Sequence, residues 1–487
     1  MTAEALVTVT VPGSEITQQL EARYFDTPSH ALQKAKLAYR LRREGENWVA
    51  TVKDSGSSKG GLHARQEWNL IASHNEPDVQ AFADMEIGLR LQEAVGDEIL
   101  EPILITSFER RKVDVVMPGG STIEVAADKG AIIVGEKTEL ILEIELELKT
   151  GQPEALFMLG AGLAREYPLL PEPKSKFYRG LLLAGLSAEL PKKNHLPQVD
   201  KARPIGEALC VVLVDLIAQV LAAQQSFLEN SQQPEIVHEL RIRLRRLQSV
   251  LAFSEPLAII KQYAWYQDEL KKLGQKLAEV RELDVAYASW QQLLDDQVVG
   301  MDSKVWLGEV LMEKRNQASV KIVDECRAGL ATPILLGLWA ELLDQDWQQL
   351  ITCNSNVEKY VVSNVSSWLK TVKRQGQTVK WTDVEEAHKL RLGIKKIKYV
   401  VEVMQPVLGD TSRLILQLEK LQDTLGVISD AHSTKLLLKA LLRGKSSRAL
   451  HLEAGLLMGW QGHERLLLQN KLDKYWKKLN RIVQKWK

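Results

Sequence analysis

Between residues 37 and 149, apolar and polar positions alternate mostly with a period of two. Residues two apart share a face of a strand, so this stretch predicts a series of β-strands. From about Pro204 onward, apolar residues recur every three or four positions over long stretches without strand-turn punctuation, which predicts long amphipathic helices. The segment Pro191–Pro197 reads as a linker. The expected organisation is an α+β domain over residues 1–190, a linker over 191–202 and an all-α domain over 203–487.

The strands place charges of both signs on one face. Arg40 and Arg42 share a face, with Tyr39 and Leu41 opposite, and Lys53 ends WVATVK. Arg65 goes with Glu67, Arg110 with Lys112, and Glu124 with Asp128. Finally Glu143, Glu145 and Glu147 alternate with Leu142, Ile144, Leu146 and Leu148. An antiparallel sheet with one solvated face has the same pattern. Yet three like charges at ~7 Å intervals repel unless cations face them. Closing the sheet would set the glutamates opposite the basic strands, in a lumen of mixed charge. Carboxylates there could hold Mg²⁺ or Mn²⁺ while Arg and Lys hold phosphate oxygens, a division of labour suited to a triphosphate.

The helical half contains a repeat. VHELRIRLRRLQSV (237–250) matches AHKLRLGIKKIKYV (387–400), so that His238 corresponds to His388, Arg241 to Arg391 and Arg245-Arg246 to Lys395-Lys396. A second pair follows, LKKLGQKLAEVRELDV (270–285) and LEKLQDTLGVISDAHS (418–433). Two homologous helical units are the simplest explanation. His238, Arg241 and Arg245 fall on one helical stripe, and His388, Arg391, Lys395 and Lys398 repeat it. The surrounding cations argue against a metal site at the histidines, and no nucleophile motif accompanies them.

Composition refines this picture. With 45% hydrophobic and 26% charged residues the chain is ordinary folded protein. No run approaches the ~18–20 uninterrupted apolar residues of a membrane span. The three cysteines, Cys210, Cys326 and Cys353, are widely spaced and read as small buried side chains. The zero net charge divides into −9 over residues 1–190 and +9 over the remainder, which makes the helical half the candidate for attracting polyanions.

The segments YFDTP (24–28), YRLRREG (39–45), TVK (51–53), RQEWN (65–69), the Glu-x-Glu-x-Glu strand and PKSKFYRG (173–180) closely resemble the CYTH superfamily. That superfamily includes triphosphate tunnel metalloenzymes, thiamine triphosphatases and class IV adenylyl cyclases. The resemblance implies an antiparallel β-tunnel in which Arg40, Arg42, Lys53, Arg65, Arg110, Lys112, Lys176 and Arg179 grip phosphates. Glu67, Glu124, Asp128, Glu143, Glu145 and Glu147 would bind metal or hold the basic residues in place, with Lys53, Arg65 and Glu67 nearest the chemistry. The family opens with a Glu-x-Glu-x-Lys strand, whereas this chain begins MTAEALVTVT and offers Glu4, Leu6 and Thr8 there. Either the first strand is missing or the domain has become a binder.

The helical repeats resemble the CHAD domain, a histidine-bearing module associated with polyphosphate. The resemblance implies two four-helix bundles placed side by side. His238, Arg241, Arg245, Arg246, Arg281, His388, Arg391, Lys395, Lys396 and Lys398 would then line a polyanion groove. Glu282 stands where the family usually has Asp. The expected protein hydrolyses inorganic triphosphate with Mg²⁺ or Mn²⁺ and binds polyphosphate, in the cytoplasm and in association with polyphosphate granules. Alternatives are a polyphosphate-targeting protein without hydrolysis and a class IV adenylyl cyclase-like enzyme acting on ATP. A nucleic-acid or membrane partner is not expected, since no aromatic stacking pattern accompanies the cations.

Overall fold

The computed structural model describes residues 9–54, 56–186, 196–197, 199–295, 306–444 and 447–486. The chain divides into two compact units, with the boundary just before Leu196. Half of the expected 191–202 linker, and the Glu4–Thr8 stretch, lie outside the described residues.

The first unit is an antiparallel sheet. Its strands are β1 (Val9–Thr10), β2 (Ile16–Asp26), β3 (Leu37–Glu44), β4 (Asn47–Asp54), β5 (Ser57–Lys59), β6 (Leu62–Ala64), β7 (Glu67–Ala72), β8 (Glu101–Val116), β9 (Thr122–Val134) and β10 (Lys137–Thr150). The main sheet runs β10-β9-β8-β2-β3-β4-β7, with β1 alongside β8, while β5 and β6 form a separate hairpin. Among the described residues β7 and β10 are its two edges, so strand pairing does not close the sheet into a tunnel. Helices α1 (Ala31–Lys34), α2 (Gly88–Val95), α3 (Glu154–Glu166) and α4 (Lys176–Leu183) cover it.

Alternation sorts the side chains as the sequence predicted. Leu37, Tyr39 and Leu41 of β3 and Ala50 and Val52 of β4 bury against Leu32, Phe82 and Leu91. The YFDTP motif has a structural role here. Asp26 accepts the backbone N–H groups of Thr27 and Leu32 at 2.8 Å and of Gln33 at 3.1 Å, satisfying the otherwise orphaned start of α1. Under α3, Ile123, Val115, Ala155 and Leu159 form another core. On the opposite face, the end of the sheet beneath α4 is apolar, with Leu20, Ala22, Tyr24, Leu104, Phe108 and Leu181 in one cluster. The rest of that face is charged.

The second unit is helical: α5 (Ile205–Glu229), α6 (Pro234–Ser254), α7 (Tyr263–Asp295), α8 (Trp306–Arg327), α9 (Thr332–Leu343), α10 (Val357–Thr378), α11 (Val384–Val403), α12 (Gln405–Leu408), α13 (Ser412–Leu442) and α14 (Arg448–Gln484). Starts are capped where the sequence supplies acceptors: Asn356 accepts from Lys359 N, Asp383 from Glu385 N and Glu386 N, and Ser447 from Leu450 N. Each such cap contributes about 1 kcal/mol. In the first repeat α6 packs against α5 and α7, and α7 against α8; in the second α11 packs against α10 and α13, and α13 against α14. The two halves touch through α6 and α11. Helix α5 is long and apolar enough to cross a membrane, but 67% of its apolar window is buried in the unit, as in the core helix of a globular domain. All three cysteines are buried and free.

Candidate functional site

Strand register aligns the charges of the first unit. Arg110 on β8 stands opposite Asp128 on β9, itself opposite Glu143 on β10. Two residues along, Lys112, Ala126 and Glu145 align, and then Asp114, Glu124 and Glu147. The acidic residues therefore share one face, yet they form two groups. In the first, Arg110 donates to both oxygens of Asp128 at 2.7 Å and also to Glu145. Lys176, projecting from α4, lies 2.8 Å from Asp128, 2.6 Å from Glu145 and also against Glu143. Arg179 reaches Glu139 at 2.6 Å and Glu143 at 2.8 Å. In the second, Lys112 and Lys149 bind Glu124 at 2.8 and 3.3 Å, and Lys149 reaches Glu147 at 3.0 Å.

The cations beside Glu145 set its charge state. Burial would raise the Glu145 carboxyl, but Lys176 and Arg110 hold it at about 2. Burial would likewise depress Lys176, and Glu145, Glu143 and Asp128 raise it above the ordinary lysine value instead. Asp128, Glu143 and Glu145 each offer a carboxylate oxygen within 4.8 Å of one another. A set of hard carboxylate oxygen donors fits Mg²⁺ or Mn²⁺. A bound cation must displace the Lys176 ammonium.

Across the sheet the balance reverses. Arg40 is only 8% exposed; its guanidinium donates to Thr51 at 3.2 Å, and Thr51 donates to Asn69 at 2.7 Å. Among the described residues, Arg40 Nε and Arg42 Nε are buried without partners. Arg42 pairs with Glu44, and Lys53 with Glu67 at 2.6 Å. Burial and the charge of Arg40 pull the Lys53 ammonium down to about 8 even with Glu67 beside it. Burial, Arg40 and Arg110 also lower Arg42. Such a cluster gains from an anion that brings acceptors to unpaired donors. Arg65 lies in the connection between β6 and β7 rather than on a strand with Glu67, because Asp54 N bonds Gln66 O at 3.2 Å and ends the ladder one residue beyond Glu67. It still lies within electrostatic reach of Lys53 and Glu67.

In the helical unit, α6 and α11 bring the two stripes together. The Lys395 ammonium falls to about 7 through burial and the fields of Arg391, Arg245 and Arg241, with Asp430 opposing. His238 feels Arg281, Lys395 and Arg241; His388 feels Arg391, Arg245 and Lys395; burial lowers both imidazoles further. Lys395 is the repeat equivalent of Arg245, so each histidine lies in the field of the corresponding cation of the other repeat. Burial, Arg245 and Arg281 bring Arg241 down to about 10. Arg391 Nε is buried without a partner.

Three residues expected in this groove are engaged elsewhere. Arg246 pairs with Glu402 at 3.2 Å, Lys398 with Glu402 and Glu419 at 3.1 and 3.3 Å, and Lys396 stacks over Trp368 at 4.3 Å. Sequence reasoning missed Ser429, which shares a 2.9 Å hydrogen bond with His388 Nδ1, and Asp430, 3.7 Å from Arg391. The signal was present, because Ser429 and Asp430 align with Arg281 and Glu282 in the second repeat pair. Lys149, at the end of the acidic strand, pairs with Glu124 and Glu147.

One sheet face thus carries an acidic triad and two arginines whose Nε donors are unpartnered, and helices α6 and α11 carry adjoining cationic stripes. The family comparisons agree: a CYTH domain matches residues 8–181 and a CHAD domain residues 212–439. The chain is a two-domain protein, CYTH followed by CHAD. An inorganic triphosphatase of Haemophilus influenzae is 38% identical over 160 residues, 33% of this chain and 44% of that one. An uncharacterized Mycobacterium tuberculosis protein is 26% identical over 298 residues, 57% of this chain and 54% of that one. The chain thus spans about half the length of the curated relatives it matches. Among solved structures, the CHAD domain of the plant Ricinus communis superposes with a TM-score of 0.46 at 19% identity, covering 60% of this chain and 97% of that one.

Proposed function

We propose that the CYTH domain hydrolyses inorganic triphosphate with a divalent cation and that the CHAD domain binds polyphosphate. The observation that carries the first part is the pairing of buried, unpartnered Arg40 and Arg42 donors with the Asp128–Glu143–Glu145 cluster on one sheet face. Arg40, Arg42, Lys53 and Arg65 bind the phosphate oxygens and orient the chain of phosphates. Glu67 holds Lys53 in place. Asp128, Glu143 and Glu145 hold Mg²⁺ or Mn²⁺, which when bound neutralises phosphate charge during attack by water. The resemblance of this half to a triphosphatase supports the same reading. In the CHAD domain, Arg241, Arg245, Arg281, Arg391 and Lys395, with His238 and His388, form a dense cationic surface suited to a polymer of phosphates.

A second reading, binding without hydrolysis, is favoured by Lys176, which already contacts all three carboxylates of the triad. Phosphate release from tripolyphosphate with Mg²⁺ or Mn²⁺, beside Glu145→Gln, decides between them. Release that the substitution abolishes supports hydrolysis. No release from folded protein that retains polyphosphate leaves the binder.

A further inference from the structure

We propose that the β5–β6 hairpin is a strap over the phosphate groove, seated by Gly61 and His63 on the segment leading into α4. This rests on the reading of the groove as a triphosphate site. Among the described residues the hairpin pairs only with itself, and it leaves the main sheet where Lys53 and Glu67 close the β4–β7 ladder. Its turn lies against the other side of the groove. Gly61 adopts φ +92°, and a Cβ there would stand 2.9 Å from Pro171 Cβ, so both the turn and the close approach require glycine. His63 Nε2 lies 3.2 Å from the Glu172 carbonyl oxygen. A carbonyl only accepts, so Nε2 carries the proton. The ring also lies in the fields of Arg65, Glu145 and Glu143.

Pro171 and Glu172 lead into α4, whose Lys176 and Arg179 bind the acidic strand. The hairpin therefore runs from the basic edge of the groove to its acidic edge and spans the gap that strand pairing leaves open. Arg65 sits at its base, between β6 and β7. Seating the hairpin fixes Arg65 over the groove, and releasing it opens a way in for substrate. The latch is one hydrogen bond at an exposed histidine and one van der Waals approach, weak enough to open on each turnover. His63 and Gly61 are positioning residues that act through Arg65.

The test uses the full chain, tripolyphosphate and saturating Mg²⁺, with His63→Ala, His63→Gln and Gly61→Val. Expected is a KM about tenfold higher in His63→Ala and Gly61→Val with kcat within about twofold of wild type, as for lost substrate binding. His63→Gln, whose amide donates to the same carbonyl, restores most of the loss. Hydrogen exchange supplies a readout free of turnover: tripolyphosphate slows exchange in Ser57–Ala64 of wild type and not in His63→Ala. Unchanged kinetics in His63→Ala, or no protection in wild type, overturn the strap. A loss of kcat in His63→Gln with a changed acid limb overturns the positioning role in favour of proton transfer. Protection of the hairpin in a wild type that releases no phosphate overturns the hydrolase reading while the strap stands.

Discussion

If the CHAD domain binds polyphosphate as proposed, Lys395 makes that binding pH-dependent by an amount the structure allows to be worked out. Its ammonium is pulled down to about 7 by burial and by Arg391, Arg245 and Arg241, against the single carboxylate of Asp430. A bound polyphosphate supplies the missing negative charge and returns the group to full protonation. The protonated fraction of the free protein falls from about 0.9 at pH 6 to about 0.1 at pH 8, so affinity drops about tenfold, or ~1.4 kcal/mol, over that interval. Binding at pH 7 takes up about half a proton at this group. His238 and His388, both lowered, add their own uptake toward lower pH. Titration calorimetry of polyphosphate into the full chain, in buffers of different ionisation heat, measures affinity and uptake together. Lys395→Met should bind more weakly at pH 6 and lose most of the dependence above pH 7. Stability moves the other way. From about 7 up to the ordinary 10.5 the unfolded chain holds the extra proton, so this residue's contribution to stability rises with pH across that window. At pH 7 Lys395→Met therefore raises the melting temperature of the ligand-free protein. Equal affinity and no proton uptake in wild type between pH 6 and 8 would refute the reasoning.

Other consequences are as direct. Polyphosphate affinity falls linearly on a log–log plot against salt, and Arg391→Gln lowers the slope by about one; a flat plot removes the electrostatic account. Arg40→Met leaves the groove without its most buried cation and raises KM for tripolyphosphate at least tenfold, which steady-state kinetics reads; an unchanged KM removes Arg40 from the substrate. Arg315→Met strands Asp284, 3.0 Å away and equally buried, and costs about 3–5 kcal/mol in denaturant unfolding; a loss below 1 kcal/mol contradicts the burial argument. Gly376→Ala drives a Cβ into the Trp476 ring, and overpacking of about 1–3 kcal/mol follows, visible as a lower melting temperature.

Much of this was readable in the chain because the decisive pattern is local. Period-two alternation in β3, β8, β9 and β10 assigned their charged faces, and the match between His238 and His388 disclosed the helical repeat. Strand β2 was not foreseen. Ile16, Leu20, Ala22 and Tyr24 alternate with Thr17, Gln19, Glu21 and Arg23, but Gln18 interrupts the apolar face and Phe25 falls on the polar one. Its central position between β8 and β3 is a tertiary decision. The sorting of Arg246, Lys396 and Lys398 away from the cationic cluster was equally hidden, because Glu402, Glu419 and Trp368 become neighbours only after the helices pack. The division of the acids into two groups depends on Lys176 and Lys149, one arriving from a helix and the other at the end of an acidic strand.

The proposed function turns on metal-dependent cleavage of a phosphoanhydride in the CYTH groove. Phosphorus NMR of the full chain with tripolyphosphate and Mg²⁺ or Mn²⁺, beside a chelated sample and Glu145→Gln, tests it without a coupling enzyme. The expected result is that the triphosphate signals give way to equal amounts of orthophosphate and diphosphate in the metal-loaded wild type alone. Triphosphate signals that persist unchanged there, or decay equally with chelator, would contradict it.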